Sequence, residues 1–159
     1  AVEGVMGLAE RFMRVIFLVG LIAGAAFAQT RGTAAEAKSL AEKAIEHIKD
    51  VGTTKAFDDF TSKDGKWQNR DLYVFVIRFD GTILAHGSSK AVVGKNMLDV
   101  TDVNGKAFTK DMAELMKAKG SGWTDYMWSN PLTHKIEAKS SYGIRIPNFD
   151  GFVGVGIYK

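Results

Sequence analysis

The stretch that most limits the fold is LYVFVIRFDGTILAH, which covers residues 72–86. It holds two runs of β-branched and aromatic residues on either side of Asp80-Gly81, a dipeptide typical of tight hairpin turns. The first run is apolar at every position from Leu72 up to Arg78, so that both of its faces are apolar. Strands of this kind lie inside a sheet and are covered on both sides. The sequence therefore predicts a hairpin whose first strand is central in its sheet.

The elements around this hairpin predict the rest of an α+β domain. Thr33 and Glu36 have the spacing of a capping box, and apolar residues then recur at helical spacing until Gly52, which predicts an amphipathic helix over residues 34–51. Shorter helices are predicted around Phe57 and before Gly120. Three more strands, near residues 122–128, 135–146 and 152–159, are joined by short turns. We expect a five-stranded antiparallel sheet with the long N-terminal helix on one face.

The N-terminal part of the chain has the layout of an export signal. Arg14 precedes an apolar run of 14 residues, and small residues at the end of that run, up to Ala28, fit a cleavage site before Gln29. Residues 1–12 form an upstream extension, and residues 29–159 form the predicted single domain. The alternative is that residues 1–28 are retained as an apolar helix, which would bring the chain to a membrane or drive self-assembly.

Composition excludes several classes of function. The net charge of +3 comes from evenly spread residues and does not form the basic patch that nucleic-acid binding needs. The chain has no Cys, which excludes thiolate chemistry and cysteine metal sites. Its three His residues lack the spacing of metal ligands, and no nucleophile has an evident base. We expect no metal, no cofactor and no enzymatic activity.

Four blocks carry a resemblance to a known family: residues 73–86, 93–108, 122–142 and 152–158. The order of elements is similar to the PAS-like sensor fold, and these blocks closely resemble the single Cache domain family of extracytoplasmic small-molecule sensors. The blocks stand in family order and cover about half of the chain. One departure is AHGSSKAV after the hairpin, where the family pattern has a Pro following the histidine at position 86.

The resemblance implies a periplasmic or secreted sensor domain, and we expect this chain to be either a stand-alone exported form or a fragment cut at the end of the domain. It also implies a pocket between the sheet and the long connection that follows the hairpin, with acetate, propionate, lactate or pyruvate as typical ligands. Signalling would then need a partner, either a receptor or further copies of this chain in a homo-oligomer. The competing function is structural, with a retained N-terminal helix that anchors or assembles a Cache head domain.

Lys139 is the first candidate for ligand binding. It interrupts a strand that is otherwise apolar at alternate positions, and its ammonium would form a charge-assisted hydrogen bond with a ligand carboxylate. A solvated, outward-facing lysine is the alternative, and the resemblance favours the binding role.

Aromatic and histidine side chains complete the predicted pocket. Tyr126 and Trp128 share one face of their strand and combine apolar surface with a hydrogen-bond donor, although plain sheet packing explains them equally well. Tyr142 is predicted to donate a hydrogen bond to the ligand. The remaining candidates lie on the hairpin and have core packing as their alternative: Tyr73, Phe75 and His86.

Overall fold

The computed structural model describes residues 31–159, and within that range the chain forms three α-helices and six β-strands. The helices are α1 (Ala34–Val51), α2 (Thr53–Thr61) and α3 (Phe108–Lys119). The strands are β1 (Gln68–Asn69), β2 (Leu72–Arg78), β3 (Ile83–His86), β4 (Ser121–Ser129), β5 (Ile136–Arg145) and β6 (Gly151–Tyr158). The predicted signal peptide or retained apolar helix of residues 1–28 lies outside the described residues. No helix in the described range is long and apolar enough to cross a membrane.

The strands form one antiparallel sheet in the order β2-β6-β5-β4, and both β1 and β3 pair with the outer edge of β2. The predicted α+β class and antiparallel sheet are therefore confirmed, with the two-residue β1 as an addition. The hairpin turns at Gly81, whose φ of 94° lies in the left-handed region that glycine tolerates best.

Strand β2 is buried on both faces, as its apolar sequence predicts. Leu72, Val74 and Val76 pack with the helices α1 and α2, whereas Tyr73, Phe75 and Ile77 pack with α3 on the other side. Alternation along one strand thus assigns its side chains to two separate cores. We call the second of these, on the side of Tyr73, the α3 face.

Helix α1 covers the face opposite to the α3 face. The predicted capping box is present, because the Thr33 hydroxyl accepts from the N–H of Glu36 and the Glu36 carboxylate accepts from the N–H of Thr33. Fully buried alanines on its inner side let the helix approach the sheet closely: Ala37, Ala41 and Ala44. This helix therefore packs closely against one face of the sheet through its small residues.

The long connection between β3 and α3 is attached to the exposed edge of β4 by Asp102. One carboxylate oxygen, Oδ1, accepts from the backbone N–H groups of Asn104 and Lys106, and Oδ2 accepts from the N–H of Met127 at 2.9 Å. The N–H of Met127, on the edge of β4, is thereby satisfied by a side chain instead of by another strand. The connection and α3 together cover the α3 face of the sheet.

Candidate functional site

A small cavity lies on the α3 face, between the sheet and helix α3. Its volume is about 20 Å³, somewhat more than one water molecule needs by the same measure. Four different strands bring six of the seven predicted ligand-binding residues to its wall: Tyr73, Phe75, His86, Tyr126, Trp128 and Lys139.

Lys139 lies at the centre of this wall and is only 1% exposed. Its direct neighbours across the sheet are Tyr126 on β4 and Tyr158 on β6. The side chain extends over Gly156, where a Cβ atom would stand 2.2 Å from the Lys139 Cε. The glycine therefore leaves the space through which the ammonium reaches Tyr73, whose hydroxyl it meets at 2.7 Å.

Aromatic rings surround the Lys139 ammonium. The Nζ atom lies 4.2 Å from the ring centre of Tyr73, 5.1 Å from Tyr158, 5.4 Å from Phe75 and 5.8 Å from Tyr126. Such distances allow cation–π attraction, which is strongest where water is excluded. The ammonium forms no salt bridge with any residue in the described range.

A chain of phenols extends from the ammonium to the backbone. The Tyr158 hydroxyl donates to the carbonyl of Ser129 at 2.7 Å and lies 3.3 Å from the Tyr73 hydroxyl. Because Tyr158 has used its proton, Tyr73 donates to Tyr158 and accepts from Lys139. The Tyr126 hydroxyl pairs with the Ser141 hydroxyl at 2.9 Å. These hydrogen bonds hold the side chains of the wall in place.

The wall carries one net positive charge. Burial works to lower the pKa of Lys139, but the phenolic oxygens of Tyr126 and Tyr73 outweigh burial and raise the pKa above its ordinary value, so the amine stays protonated. Burial raises the pKa of both Tyr126 and Tyr158, so these phenols stay neutral. The tyrosines therefore offer dipoles to the ammonium but no negative charge.

His86 is a neutral hydrogen-bond donor in the same wall. Burial, followed by the charge of Lys139, lowers the pKa of His86 to about 3. Its Nδ1 atom lies 3.1 Å from the backbone N–H of Ser89, which can only donate, so Nδ1 is the acceptor. A neutral imidazole with an accepting Nδ1 carries its proton on Nε2. That nitrogen has no hydrogen-bond partner among residues 31–159.

Helix α3 adds a polar residue that the sequence analysis missed. Thr109 is fully buried and lines the cavity, and its hydroxyl has no hydrogen-bond partner within the described range. It follows Phe108 in the first turn of the helix. The apolar periodicity does not distinguish this position from any other polar position beside the apolar face. Five apolar residues of the wall were also not predicted: Ile77, Ile83, Met97, Phe108 and Met112.

Tyr142 does not line this cavity, which corrects the prediction that it donates to the ligand. Its ring packs with the opposite core, 5.2 Å from the Trp123 ring, and the Lys38 ammonium lies 5.6 Å from its centre. The physical reason is strand parity, because residues three positions apart point to opposite faces. Lys139 and Tyr142 therefore cannot share a pocket. The alternation of side chains along β5 was sufficient to predict this from the sequence.

The arrangement suits the capture of a small anion. One ammonium and the donors of His86 and Thr109 meet in an apolar space from which solvent is largely excluded. A charge-assisted hydrogen bond is strongest in such surroundings. Among residues 31–159, no three His, Asp or Glu side chains are grouped so that they could hold a metal ion.

Comparison with known proteins gives one family and several relatives. A family model for single Cache domain 2 matches residues 19–159. A sensor histidine kinase, MctS of Rhizobium johnstonii, is 33% identical over 89 residues, a match that covers 56% of this chain and 19% of the kinase. The chain thus spans about a fifth of the length of this curated relative.

Solved structures of chemosensory domains share the fold. A methyl-accepting chemotaxis protein from Vibrio parahaemolyticus has a TM-score of 0.68 at 22% identity, over 77% of this chain and 86% of its own. A Cache chemosensory domain studied for carboxylic acid recognition has a TM-score of 0.61 at 19% identity, over 96% and 99% of the two chains. A periplasmic sensor domain of a chemotaxis protein has a TM-score of 0.59 at 22% identity, over 97% and 99%. At these identities the likeness shows the fold alone.

Proposed function

This chain belongs to the single Cache domain 2 family, and we propose that it is a periplasmic or secreted sensor domain whose cavity binds a small organic acid through Lys139. The observation that carries the proposal is a buried ammonium that meets phenol dipoles but no carboxylate within the described residues. Buried charges in proteins are normally paired. A ligand carboxylate would supply the missing negative charge.

The size of the cavity favours very small acids. With about 20 Å³ available, the wall as it stands has room for little more than one water molecule, so even acetate requires the side chains of the wall to move. Lactate or pyruvate would need additional room, which the unbranched side chains of Met97 and Met112 can provide because they change rotamer easily. We therefore propose acids of two to four carbons, such as acetate, propionate, lactate and pyruvate.

The proposed role is recognition without chemistry. The matched region makes up 19% of the sensor histidine kinase, so in that relative the similar segment is one part of a longer protein. We propose that the bound acid leaves unchanged and that its signal reaches further domains or a partner receptor. No nucleic acid takes part in this scheme.

A ligand screen on the full chain tests the proposal. Thermal unfolding is followed with each of the four acids over a range of concentrations, because a ligand that binds only the folded state raises the melting temperature in a dose-dependent way. At a hundred times the dissociation constant the stabilisation is about 2.7 kcal/mol. We expect at least one acid to act in this way on the wild-type protein.

Two lysine variants make the screen specific to the site. Lys139→Met removes the ammonium but keeps an unbranched apolar side chain, and we expect it to abolish the response. Lys135→Met makes the same change in charge at an exposed position next to β5 and should respond like the wild type. The proposal fails if no acid stabilises the wild type, or if Lys139→Met responds as strongly as Lys135→Met.

A further inference from the structure

The cavity on the α3 face, with its side chains in their present positions, fits a single-atom anion better than an organic acid. We infer that it is a halide site and that chloride binds there at the Lys139 ammonium. Chloride binding does not require that any acid binds. Its consequence, that chloride competes with the acid and so sets the acid concentration at which the domain responds, rests on the proposed function.

The first argument is the size of the space. Its volume of about 20 Å³ is only a little more than one water molecule needs by the same measure. A chloride ion is one atom, slightly larger than a water molecule, so it can enter while the wall keeps its shape. Acetate adds a methyl group to its carboxylate and requires side chains to move. Among common anions, chloride therefore suits the cavity best.

The second argument is the charge of the wall. Within the described part of the chain, no residue that lines the cavity is acidic, and His86 is neutral, so the positive charge of Lys139 has no negative partner there. The Tyr73 hydroxyl and the surrounding rings offer the ammonium only dipoles. Buried charges in proteins are normally paired with an opposite charge. A halide supplies one negative charge, which is the amount that the wall lacks.

The third argument is that the wall presents hydrogen-bond donors. Besides the ammonium of Lys139, these are Nε2–H of His86 and the fully buried hydroxyl of Thr109, and neither has a hydrogen-bond partner among residues 31–159. A halide accepts hydrogen bonds from any direction, so it can use donors from different elements of the fold. A carboxylate accepts from the same groups. The two ligands should therefore exclude each other.

Helix α3 adds partial positive charge at the same wall. Its cap residue, Ala107, forms no side-chain hydrogen bond with the first N–H groups of the helix, and the two residues that follow, Phe108 and Thr109, line the cavity. The N-terminus is the positive end of a helix dipole and favours a nearby anion. Together with the buried hydroxyl of Thr109, this end of α3 therefore stabilises a negative charge in the cavity.

Thermal unfolding of the full chain in sodium chloride tests the halide site without any acid. Sodium gluconate is the reference salt at equal ionic strength, because gluconate is far too large for the cavity. We expect chloride to raise the melting temperature of the wild type and of Lys135→Met in a dose-dependent way. It should have no such effect on Lys139→Met. The NMR signal of chloride, which broadens when the ion binds to a protein, should broaden with the first two proteins only.

Thr109→Val tests the site while the ammonium stays in place. This change removes one donor with little change of shape, and the variant should fold stably because the hydroxyl has no partner to lose within the described range. We expect its affinity for chloride, taken from the same titrations, to fall at least about threefold, since a hydrogen bond to a charged acceptor is stronger than one between neutral groups.

The competition is measured with the acid that stabilises the wild type. Calorimetric titration with this acid, at rising chloride and constant ionic strength, should give an apparent dissociation constant that increases linearly with the chloride concentration. An acid affinity that does not depend on chloride would overturn the inference, because a shared site requires the two ligands to displace each other.

The outcomes separate this inference from the proposed function. The inference is overturned if chloride stabilises the wild type no more than gluconate does, or if Lys139→Met responds to chloride as strongly as Lys135→Met. It is also overturned if a folded Thr109→Val variant binds chloride as tightly as the wild type. In each of these cases an acid that raises the melting temperature still supports the proposed function. If chloride acts as expected and no acid does, the proposed function fails and the halide site stands.

Discussion

Gly156→Ala is expected to disable the site without placing any atom in the cavity. Alanine fits the extended backbone of β6, but its Cβ would stand 2.2 Å from the Lys139 Cε and 2.4 Å from the Ser141 Oγ. Ordinary contacts of this type are well above 3 Å, so the lysine side chain must move by about 1 Å or more. The ammonium would then lose its 2.7 Å hydrogen bond to Tyr73 and its place against the cavity.

The expected magnitude combines two opposing effects. Overpacking a close-packed site costs about 1–3 kcal/mol, whereas replacing a strand glycine by alanine returns about 0.5–1 kcal/mol of backbone entropy. The net loss of stability should be about 0–2.5 kcal/mol, small enough for the domain to remain folded. The loss of affinity should be larger, because a displaced ammonium no longer meets the carboxylate and affinity changes tenfold for each 1.4 kcal/mol.

Urea unfolding gives the stability and calorimetric titration with the acid that stabilises the wild type gives the affinity. Gly143→Ala is the matched control, since its Cβ would meet the flexible end of Met116 at 3.0 Å and Phe152 at an ordinary contact distance of 3.7 Å, and leaves Lys139 untouched. We expect the control to bind like the wild type and Gly156→Ala to bind at least tenfold more weakly. A folded Gly156→Ala variant with wild-type affinity would refute the view that this glycine positions the lysine.

Three further predictions concern stability. Because burial holds the pKa of His86 at about 3, the unfolded chain takes up a proton below pH 6.5 that the folded chain refuses, so stability should fall by about 1.4 kcal/mol for each pH unit from 6.5 towards 3. His86→Asn should remove this share of the slope in urea unfolding, and an unchanged slope would contradict it. Hydrogen bonds from the backbone N–H groups of Lys106 and Met127 lower the pKa of Asp102. The stability that the Asp102 carboxylate contributes is therefore fully present above pH 3.8, its ordinary pKa, and is lost as pH falls through the lower pKa of the folded state. Asp102→Asn should therefore lower the melting temperature at pH 7 and differ less from the wild type in strong acid, whereas a constant difference would refute the role of the charge. Thr33→Ala should cost about 0.5–2 kcal/mol by removing the cap of α1, which unfolding in urea would show, and equal stability would contradict the capping role.

Local patterns were sufficient to predict most of the fold. The period of apolar residues located α1, and alternation together with Asp80-Gly81 located β2 and its hairpin. The same alternation grouped Tyr126 with Trp128 on one face of β4, and both line the cavity. These predictions hold because helix and strand periods are properties of the local backbone, whatever the rest of the chain does.

The candidate site was predicted in part, and its errors have a common origin. Lys139 was singled out because a charge interrupts an apolar strand, but its meeting with Tyr73, 66 residues away, depends on the register of β2, β6 and β5. Thr109 was missed because the sequence of its helix does not show that its hydroxyl is buried without a hydrogen-bond partner in the described range. Tyr142 was assigned to the site although its parity places it on the other face.

The sequence by itself thus determined which segments form helices and strands and which side chains share a face of one strand. Only the tertiary structure decided which face of the sheet encloses a cavity. Alternation separates two faces but does not say which one is covered tightly by the alanines of α1 and which one lies under the bulkier α3. That choice depends on how distant segments pack, because a cavity is the space left between elements and belongs to none of them.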